Sequence, residues 1–255
     1  MDSAIRFVCR YTPELTGQEI SDTLSVLNSA FPGWGNKSVF DWKYSQNPYG
    51  NSLHVIVYDG QEPIASVSFW RNDVGDQLAY QCVDVCVVPG QQRRGIFRRT
   101  ATHGVERLDG AYLYTFPKEN SPSGIGFLRQ GWTIKRKVPI TVHTISGAIK
   151  NYRDASEIPQ DFAGWRFGHH PTKKYYVCRL DGQFFLLTKR RENCYAIGGV
   201  LAGNPGLEEV KPRFLLSYDF PNRLLTVPRR TGWMLENTAY RSHAEFIDGY
   251  RSDVW

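Results

Sequence analysis

One segment of the chain combines glycine, proline and arginine residues in an order that suits the binding of an anion. A β-branched, apolar strand pattern over 80–88 ends at Pro89-Gly90, and a basic loop then opens a helix predicted over 98–108. The first amide groups of a helix have no partner within the helix, and the helix dipole adds positive charge there. Gly95 lets a ligand come close to the backbone. The segment therefore predicts a pyrophosphate site. The cationic side chains around it are Arg93, Arg94, Arg98 and Arg99.

Two other kinds of phosphate loop are excluded by the same residues. The G-x-G-x-x-G pattern of a dinucleotide-binding loop is absent, and so is the G-x-x-x-x-G-K-[ST] pattern of a Walker loop. The cysteines and histidines form no cluster at zinc spacing, so no metal is expected. The odd number of scattered cysteines favours free thiols in a reducing cytoplasm. They are Cys9, Cys82, Cys86, Cys178 and Cys194.

The strand, loop and helix resemble a known family. Val87-x-Pro89-x-x-Gln92-x-x-Gly95-Ile96 is similar to motif A of the GCN5-related N-acetyltransferases (GNATs). Asn120-Ser121, followed by Phe127-x-x-x-Gly131-Trp132, resembles motif B of the same family. The resemblance extends over residues 5–143. It implies an α/β fold with a mixed central sheet flanked by helices, and a site for acetyl-CoA or another acyl-CoA as co-substrate.

The resemblance also implies which residues hold the acyl-CoA. The loop amides would bind the diphosphate, and the edge of a strand that splays from its neighbour would bond to the pantetheine amides. The thioester would lie between the strands of Val83–Val88 and Ala111–Phe116, with its carbonyl oxygen polarised by a backbone amide near Val87. The cofactor-binding residues expected on this basis are Cys86, Val87, Val88, Gln92, Arg93, Arg94, Gly95, Ile96, Phe97, Arg98, Asn120 and Phe127.

Two residues depart from the family pattern. Phe97 stands where motif A usually has glycine or alanine, although its backbone amide is retained. Phe127 stands where motif B usually has the tyrosine that protonates the leaving thiolate, and a phenyl ring has no proton to give. A thiol with a pKa of about 8.5 leaves with little help, so we expect this loss to slow acyl transfer and not to abolish it.

A neutral amine that attacks a thioester must lose a proton, to a base directly or through water. Asp84 is the strand carboxylate nearest the expected carbonyl, and Glu119 is the second candidate base. Tyr114, with its neighbour Tyr112, is a candidate acid. Each has a structural alternative: a salt bridge for Asp84, a helix start for Glu119 and packing for the tyrosines. No Ser/His/Asp or Cys/His arrangement is evident, so we do not expect a covalent acyl-enzyme.

Aromatic residues follow the first helix, which is predicted over 14–31. In this fold the first helices and their loop wall the acceptor site. Trp34, Trp42 and Tyr44 are therefore interpreted as substrate-binding residues, because aromatic faces stack on sugars and other flat ligands. The alternative interpretation is that they pack in the core.

Four short motifs occur twice in the chain, in the same order. They are Trp-Lys-Tyr-x-x-Asn-Pro at 42–48 with Trp-Arg-Phe-x-x-His-Pro at 165–171, Asp-Gly-Gln at 59–61 and 181–183, Phe-Pro at 116–117 and 220–221, and Gly-Trp at 131–132 and 232–233. Their falling offsets indicate that the second copy lacks the loop and helix of 92–108. We predict a GNAT-like domain over 1–145 and a degenerate GNAT-like domain over 146–255, joined by a polar linker near 146–159.

The composition of the chain limits the classes of protein to which it can belong. The 255 residues are 41% hydrophobic and 22% charged, which excludes wholesale disorder. A net charge of +6 suits an anionic ligand and is too small to indicate nucleic acid by itself. No apolar stretch is long enough to span a membrane, and the N-terminal residues do not resemble a signal peptide. The expected location is the cytoplasm.

These observations favour an acyl-CoA-dependent N-acyltransferase, with acetyl-CoA as the expected donor. The acceptor would be the primary amine of a small molecule such as an amino sugar, attacking the thioester directly. Two alternatives stay open. The basic excess permits the same chemistry on a protein amine or a modified nucleic-acid base, and Phe127 is compatible with a non-catalytic CoA-binding module.

Overall fold

A computed structural model describes residues 5–74, 77–118, 120–138, 140–143, 152, 157–218, 225–226 and 232–237. The chain divides into two compact units. The first comprises Met1–Lys135 with Met234–Ile247, and the second comprises Arg136–Trp233 with Asp248–Trp255. The division falls before the boundary expected at 145, and the chain returns to the first unit near its C-terminus. Residue 145 and most of the expected linker lie outside the described residues.

The elements of the two units are as follows. The first unit has the strands β1 (Ile5–Tyr11), β2 (Leu53–Asp59), β3 (Glu62–Arg71), β4 (Ala79–Val87) and β5 (Tyr112–Thr115), and β6 (Trp132–Val138) begins in it. Its helices are α1 (Gly17–Ala30), α2 (Lys37–Phe40), the π-helical turn π1 (Asp41–Ser45), α3 (Ile96–Arg107) and α4 (Pro122–Leu128), with a 3-10 turn at Thr12–Glu14. The second unit has β7 (Ile140–His143), β8 (Glu157–Ile158), α5 (Gln160–Ala163), the π-helical turn π2 (Gly164–Gly168), β9 (Tyr176–Leu180), β10 (Gln183–Arg191), β11 (Cys194–Leu201), β12 (Glu208–Glu209), β13 (Phe214–Tyr218) and β14 (Leu225–Thr226), and β15 (Gly232–Asn237) follows.

The first sheet has the strand order β1-β2-β3-β4-β5-β15-β6. Strands β1 to β4 are antiparallel, β5 is parallel to β4, and β15 is antiparallel to β5, with Leu235 opposite Thr115. The expected α/β fold with a mixed sheet is confirmed. The late strand β15 explains why the C-terminal segment belongs to the first unit, because it lies inside that unit's sheet.

Two helices pack on this sheet. Helix α1 begins with a capping box in which Thr16 and Glu19 bond to each other's backbone amides, and it packs on β3 and β4. Helix α3 packs on β2 and β3 so closely that a Cβ atom added to Gly104 would lie 1.9 Å from the ring of Phe69. These contacts fix both ends of the segment that connects β4 to α3.

Two elements differ from the sequence expectation. Strand β1 is not predicted, because its charged residues interrupt a short apolar run; it forms an edge strand with mostly half-buried side chains. The α2–π1 segment is not predicted as a helix either. A π-helical turn holds more residues than an α-helical turn, so its buried side chains Trp42, Lys43 and Tyr44 follow one another without α-helical spacing.

The second sheet has the strand order β12-β9-β10-β11-β13-β7-β14, with β8 beside β11. Its local organisation follows that of the first unit: an α-helix continuing into a π-helical turn, then a hairpin, a third strand, and a parallel strand beside its first residues. Residues 202–213, between β11 and β13, contain no helix. The Phe-Pro motif at 220–221 lies outside the described residues.

All five cysteines are free, as the sequence predicts. Along the described part of the chain, no helix has the length and apolar character needed to cross a membrane.

Candidate active site

Strands β4 and β5 run side by side only at their beginnings. Their parallel pairing covers Ala79–Gln81 and Tyr112–Tyr114. The hydroxyl of Thr115 then donates a 2.8 Å hydrogen bond to the carbonyl of Cys82. Beyond this bond β4 continues to Val87 with its pairing to β3 on the other side. The two strands therefore diverge, and the β5-facing edge of β4 has main-chain groups outside the β4–β5 pairing.

The loop that follows β4 lies on the surface. The backbone amide of Val88 still donates to the carbonyl of Ile64 (2.9 Å), and a turn closes where the amide of Gln91 donates to the carbonyl of Val88 (3.1 Å). Gly95 has a φ of +73° and precedes the first residue of α3, with no side chain capping the helix. A Cβ atom added there would meet nothing within 4 Å. The start of α3 thus presents its first amides beside open space.

Two side chains hold this loop in place. The side-chain amide of Gln92 donates to the carbonyl of Val87 at 3.2 Å. The guanidinium of Arg94 pairs with Asp59 at 3.2 Å and also bonds to Gln91. Arg93 and Arg98 are exposed, and Arg93 has a positive φ of +64°. The carbonyl of Val87 thus already accepts one hydrogen bond from the side chain of Gln92.

Phe97 packs against α4. Its ring meets that of Phe127 edge to face at 5.2 Å, and Phe127 in turn contacts Trp132. A Cβ atom on Gly126 would lie 2.4 Å from the Phe97 ring, so this glycine allows the close approach. Asn120 is exposed, with a φ of +57°, just before α4. The two phenylalanines that depart from the family pattern therefore form one apolar contact.

Asp84 lies where β4 diverges from β5, on a bulge of the β3–β4 ladder. One of its carboxylate oxygens accepts a 3.0 Å bond from the indole N–H of Trp34. The other oxygen accepts from the ammonium of Lys43 at 2.9 Å and from the hydroxyl of Tyr44. Only 6% of the Lys43 side chain and 12% of the Asp84 side chain are exposed. Asp84 thus forms a salt bridge, the structural alternative to a role as base.

Lys43 is the residue at this site that sequence reasoning missed. The signal was a lysine between two aromatic residues in a motif that occurs twice. Three aromatic rings surround its ammonium at 5.4–5.9 Å: those of Trp34, Tyr44 and Trp70. The nearby imidazole of His54 bonds to Thr12 and Ser68. Burial, with a smaller contribution from the Lys43 charge, lowers the pKa of His54 to about 3.

The remaining predicted site residues lie in different surroundings. Tyr114 is fully buried in the core. Its hydroxyl accepts a hydrogen bond from the side-chain amide of Asn72 and donates one to the backbone carbonyl of the same residue. Trp42 and Tyr44 are also buried, whereas Trp34 keeps exposed surface. Burial raises the pKa of the Cys86 thiol to about 11. Glu119 lies outside the described residues.

Solved structures of low sequence identity share this fold. A GCN5-related N-acetyltransferase from Kribbella flavida matches with a TM-score of 0.55 and 13% identity, covering 92% of this chain and 71% of that chain. Another, from Anabaena variabilis, matches with a TM-score of 0.56 and 10% identity, covering 90% and 72%. Eis1 from Mycobacterium abscessus matches with a TM-score of 0.53 and 11% identity, covering 90% and 73%.

No protein-family model matches the chain, and no curated protein matches it in sequence. The likeness to the solved structures therefore rests on three-dimensional form alone. It extends over about nine tenths of the chain, and so over both units. The chain has the fold of the GCN5-related N-acetyltransferases.

Proposed function

We propose that this protein is an acyl-CoA-dependent N-acyltransferase, with acetyl-CoA as its expected donor. The observation that carries the proposal is the divergence of β4 from β5 beside an exposed basic loop. A diverged strand offers main-chain groups to an amide-bearing arm, and the adjacent helix start offers amides to a diphosphate. Acyl-CoA carries both features, because its pantetheine arm contains amide groups and is joined at one end to a diphosphate.

The residues available at the loop suit that ligand. The amides from Gln92 to Arg98 would hold the diphosphate, with the exposed Arg93 and Arg98 adding positive charge. The β4 edge from Cys86 to Val88 would pair with pantetheine, and Asn120 would contact its arm. The ring of Phe127, packed on that of Phe97, would border the arm. No anionic side chain lies within residues 88–98, so no carboxylate of the loop opposes the diphosphate.

The reaction would follow from direct attack. The lone pair of a neutral amine forms an N–C bond to the thioester carbonyl carbon, and the C–S bond breaks to release the CoA thiolate. Asp84 takes the proton lost by the amine, directly or through water. The thiolate takes a proton from water, because Phe127 cannot supply one and the thiol pKa of about 8.5 makes this step undemanding. The products are an amide and free CoA.

We propose a small-molecule amine, such as an amino sugar, as the acceptor, with Trp34 at its site. Trp34 is the aromatic residue of the predicted acceptor set that combines exposed surface with a bond to Asp84. We also propose that the second unit is a degenerate copy of the first. Its support is the shared order of α-helix, π-helical turn and hairpin, with no loop-and-helix segment at 202–213.

Two measurements test the proposed function. Acetyl-CoA should raise the melting temperature, and a panel of amines, amino sugars and nucleotide-linked amino sugars should reveal an acceptor that releases free thiol. Absence of acyl-CoA binding would overturn the proposal. Tight acyl-CoA binding without thiol release over the whole panel would favour the second candidate, a non-catalytic CoA-binding module, for which Phe127 is the supporting observation.

A further inference from the structure

Asp84 occupies a backbone conformation that glycine adopts more readily. Its φ is +52° within β4, at a shift in the β3–β4 register. The third strand of the second unit, β11, also has a register shift, and there the residue with positive φ is Gly199. Gly199 has a φ of +138°, so a bulge in the third strand forms in the second unit without a carboxylate. The carboxylate must be retained for something other than the bulge itself.

The two units differ in a second, related way. The unit that has Asp84 also has the exposed loop and α3, and the unit that has Gly199 has no helix between β11 and β13. Both units keep a buried cation in their π-helical turns, Lys43 in the first and Arg166 in the second. Both units therefore have a buried cation in the π-helical turn, whereas the carboxylate at the bulge occurs in the unit that has the exposed loop and not in the other. This association indicates that the carboxylate serves the reaction centre.

We propose that Lys43 is a positioning residue that directs the Asp84 carboxylate toward the acceptor amine. The inference rests on the proposed acyl transfer. With 2.9 Å between the ammonium and one carboxylate oxygen, and the indole of Trp34 on the other, the carboxylate has one defined orientation. Removal of the lysine leaves the hydroxyl of Tyr44 on that oxygen without the ammonium, so the carboxylate is held less firmly toward the proton released when the amine attacks.

The test compares full-length variants in the thiol-release assay with the best amine found for the wild-type protein. Lys43→Met should lower kcat by at least about tenfold, within the range that a positioned proton acceptor contributes, while the KM for acetyl-CoA stays unchanged. Lys43→Arg should recover part of kcat, because the ion pair can re-form. Lys37→Met is the matched control, since Lys37 lies in α2 and makes an exposed ion pair with Asp41.

A double variant separates catalysis from folding. Lys43→Met with Asp84→Gly removes both charges of the pair and places in β4 the residue type found at the bulge of the second unit. It should keep the KM for acetyl-CoA while kcat falls about a hundredfold. Equal kcat in K43M and K37M would overturn the inference and leave the proposed function intact. A wild-type kcat in the double variant would overturn the inference and also the role of Asp84 as the base, while acyl transfer itself would stand. If the wild-type protein released no thiol with any amine, the proposed function would fail and the inference with it.

Discussion

The ring of Phe97, at the start of α3, meets the ring of Phe127 in α4 edge to face, with 5.2 Å between their centroids. Each residue alone departs from the GNAT motif to which its segment is similar. Together they make a contact between the two helices that border the diverged strands. The departures therefore have a shared packing role, which leaves the backbone amide of Phe97 available at the helix start.

Phe97→Ala tests this packing role. Loss of a half-buried ring should lower the free energy of unfolding by about 2 kcal/mol, while acetyl-CoA binding is kept because the backbone amide remains. Thermal denaturation and calorimetric titration with acetyl-CoA measure the two effects. Ile125→Ala is the control, since Ile125 lies in the same helix as Phe127 with 39% of its surface exposed. If F97A abolished binding without a change in stability, the ring itself would contact the cofactor.

Gly95→Ala tests the loop. Gly95 (φ +73°) and Gly110 (φ +83°) both have open space at the position that a Cβ atom would occupy, so alanine should cost each about 1–2 kcal/mol from backbone strain alone. Only Gly95 precedes the amides proposed to bind the diphosphate. We expect G95A to weaken the Kd for acetyl-CoA about tenfold, equivalent to about 1.4 kcal/mol, and G110A to leave it unchanged. Equal Kd values for the two variants would argue against the diphosphate site.

The buried ion pair makes a prediction about stability as well as activity. Lys43→Met leaves the carboxylate of Asp84 without its cation and should cost about 3–5 kcal/mol, whereas the double variant with Asp84→Gly should cost much less. The melting temperature should therefore be lower in K43M than in the double variant. A melting temperature that is higher in K43M than in the double variant would show that the ion pair with Lys43 contributes little to the stability of the folded state.

His54 predicts a pH dependence of stability. The pKa of His54 is about 3 in the folded protein, against an ordinary value of 6.5. Below pH 6.5 the imidazole therefore binds a proton in the unfolded chain and stays neutral in the folded chain. Stability should therefore fall as the pH drops from 6.5 toward 3, by about 2 kcal/mol from this residue at pH 5 relative to pH 7. Denaturant unfolding at both pH values should show a smaller loss in His54→Gln. An equal loss in the two proteins would contradict a buried, neutral imidazole.

Local sequence signals predicted the framework of the first unit well. The helix expected over 14–31 is α1 (Gly17–Ala30), and the strand over 80–88 is β4 (Ala79–Val87). These patterns succeed because capping residues, β-branched runs and Pro-Gly ends act on the backbone of their immediate neighbours. Local signals do not predict the position of strand β15, because its place beside Thr115 depends on a pairing between distant parts of the chain.

The sequence by itself determined the strand–loop–helix with its arginines and glycines, the free thiols, and the recurrence of the aromatic motif. Only the tertiary structure decided what the lysine of that motif does. Lys43 and Asp84 are 41 residues apart, and their contact depends on a π-helical turn and on a bulge in β4. Neither feature has a periodic signature, because each shifts its residues by one position relative to regular structure. For the same reason the sequence indicates the candidate base and does not indicate the cation that holds it.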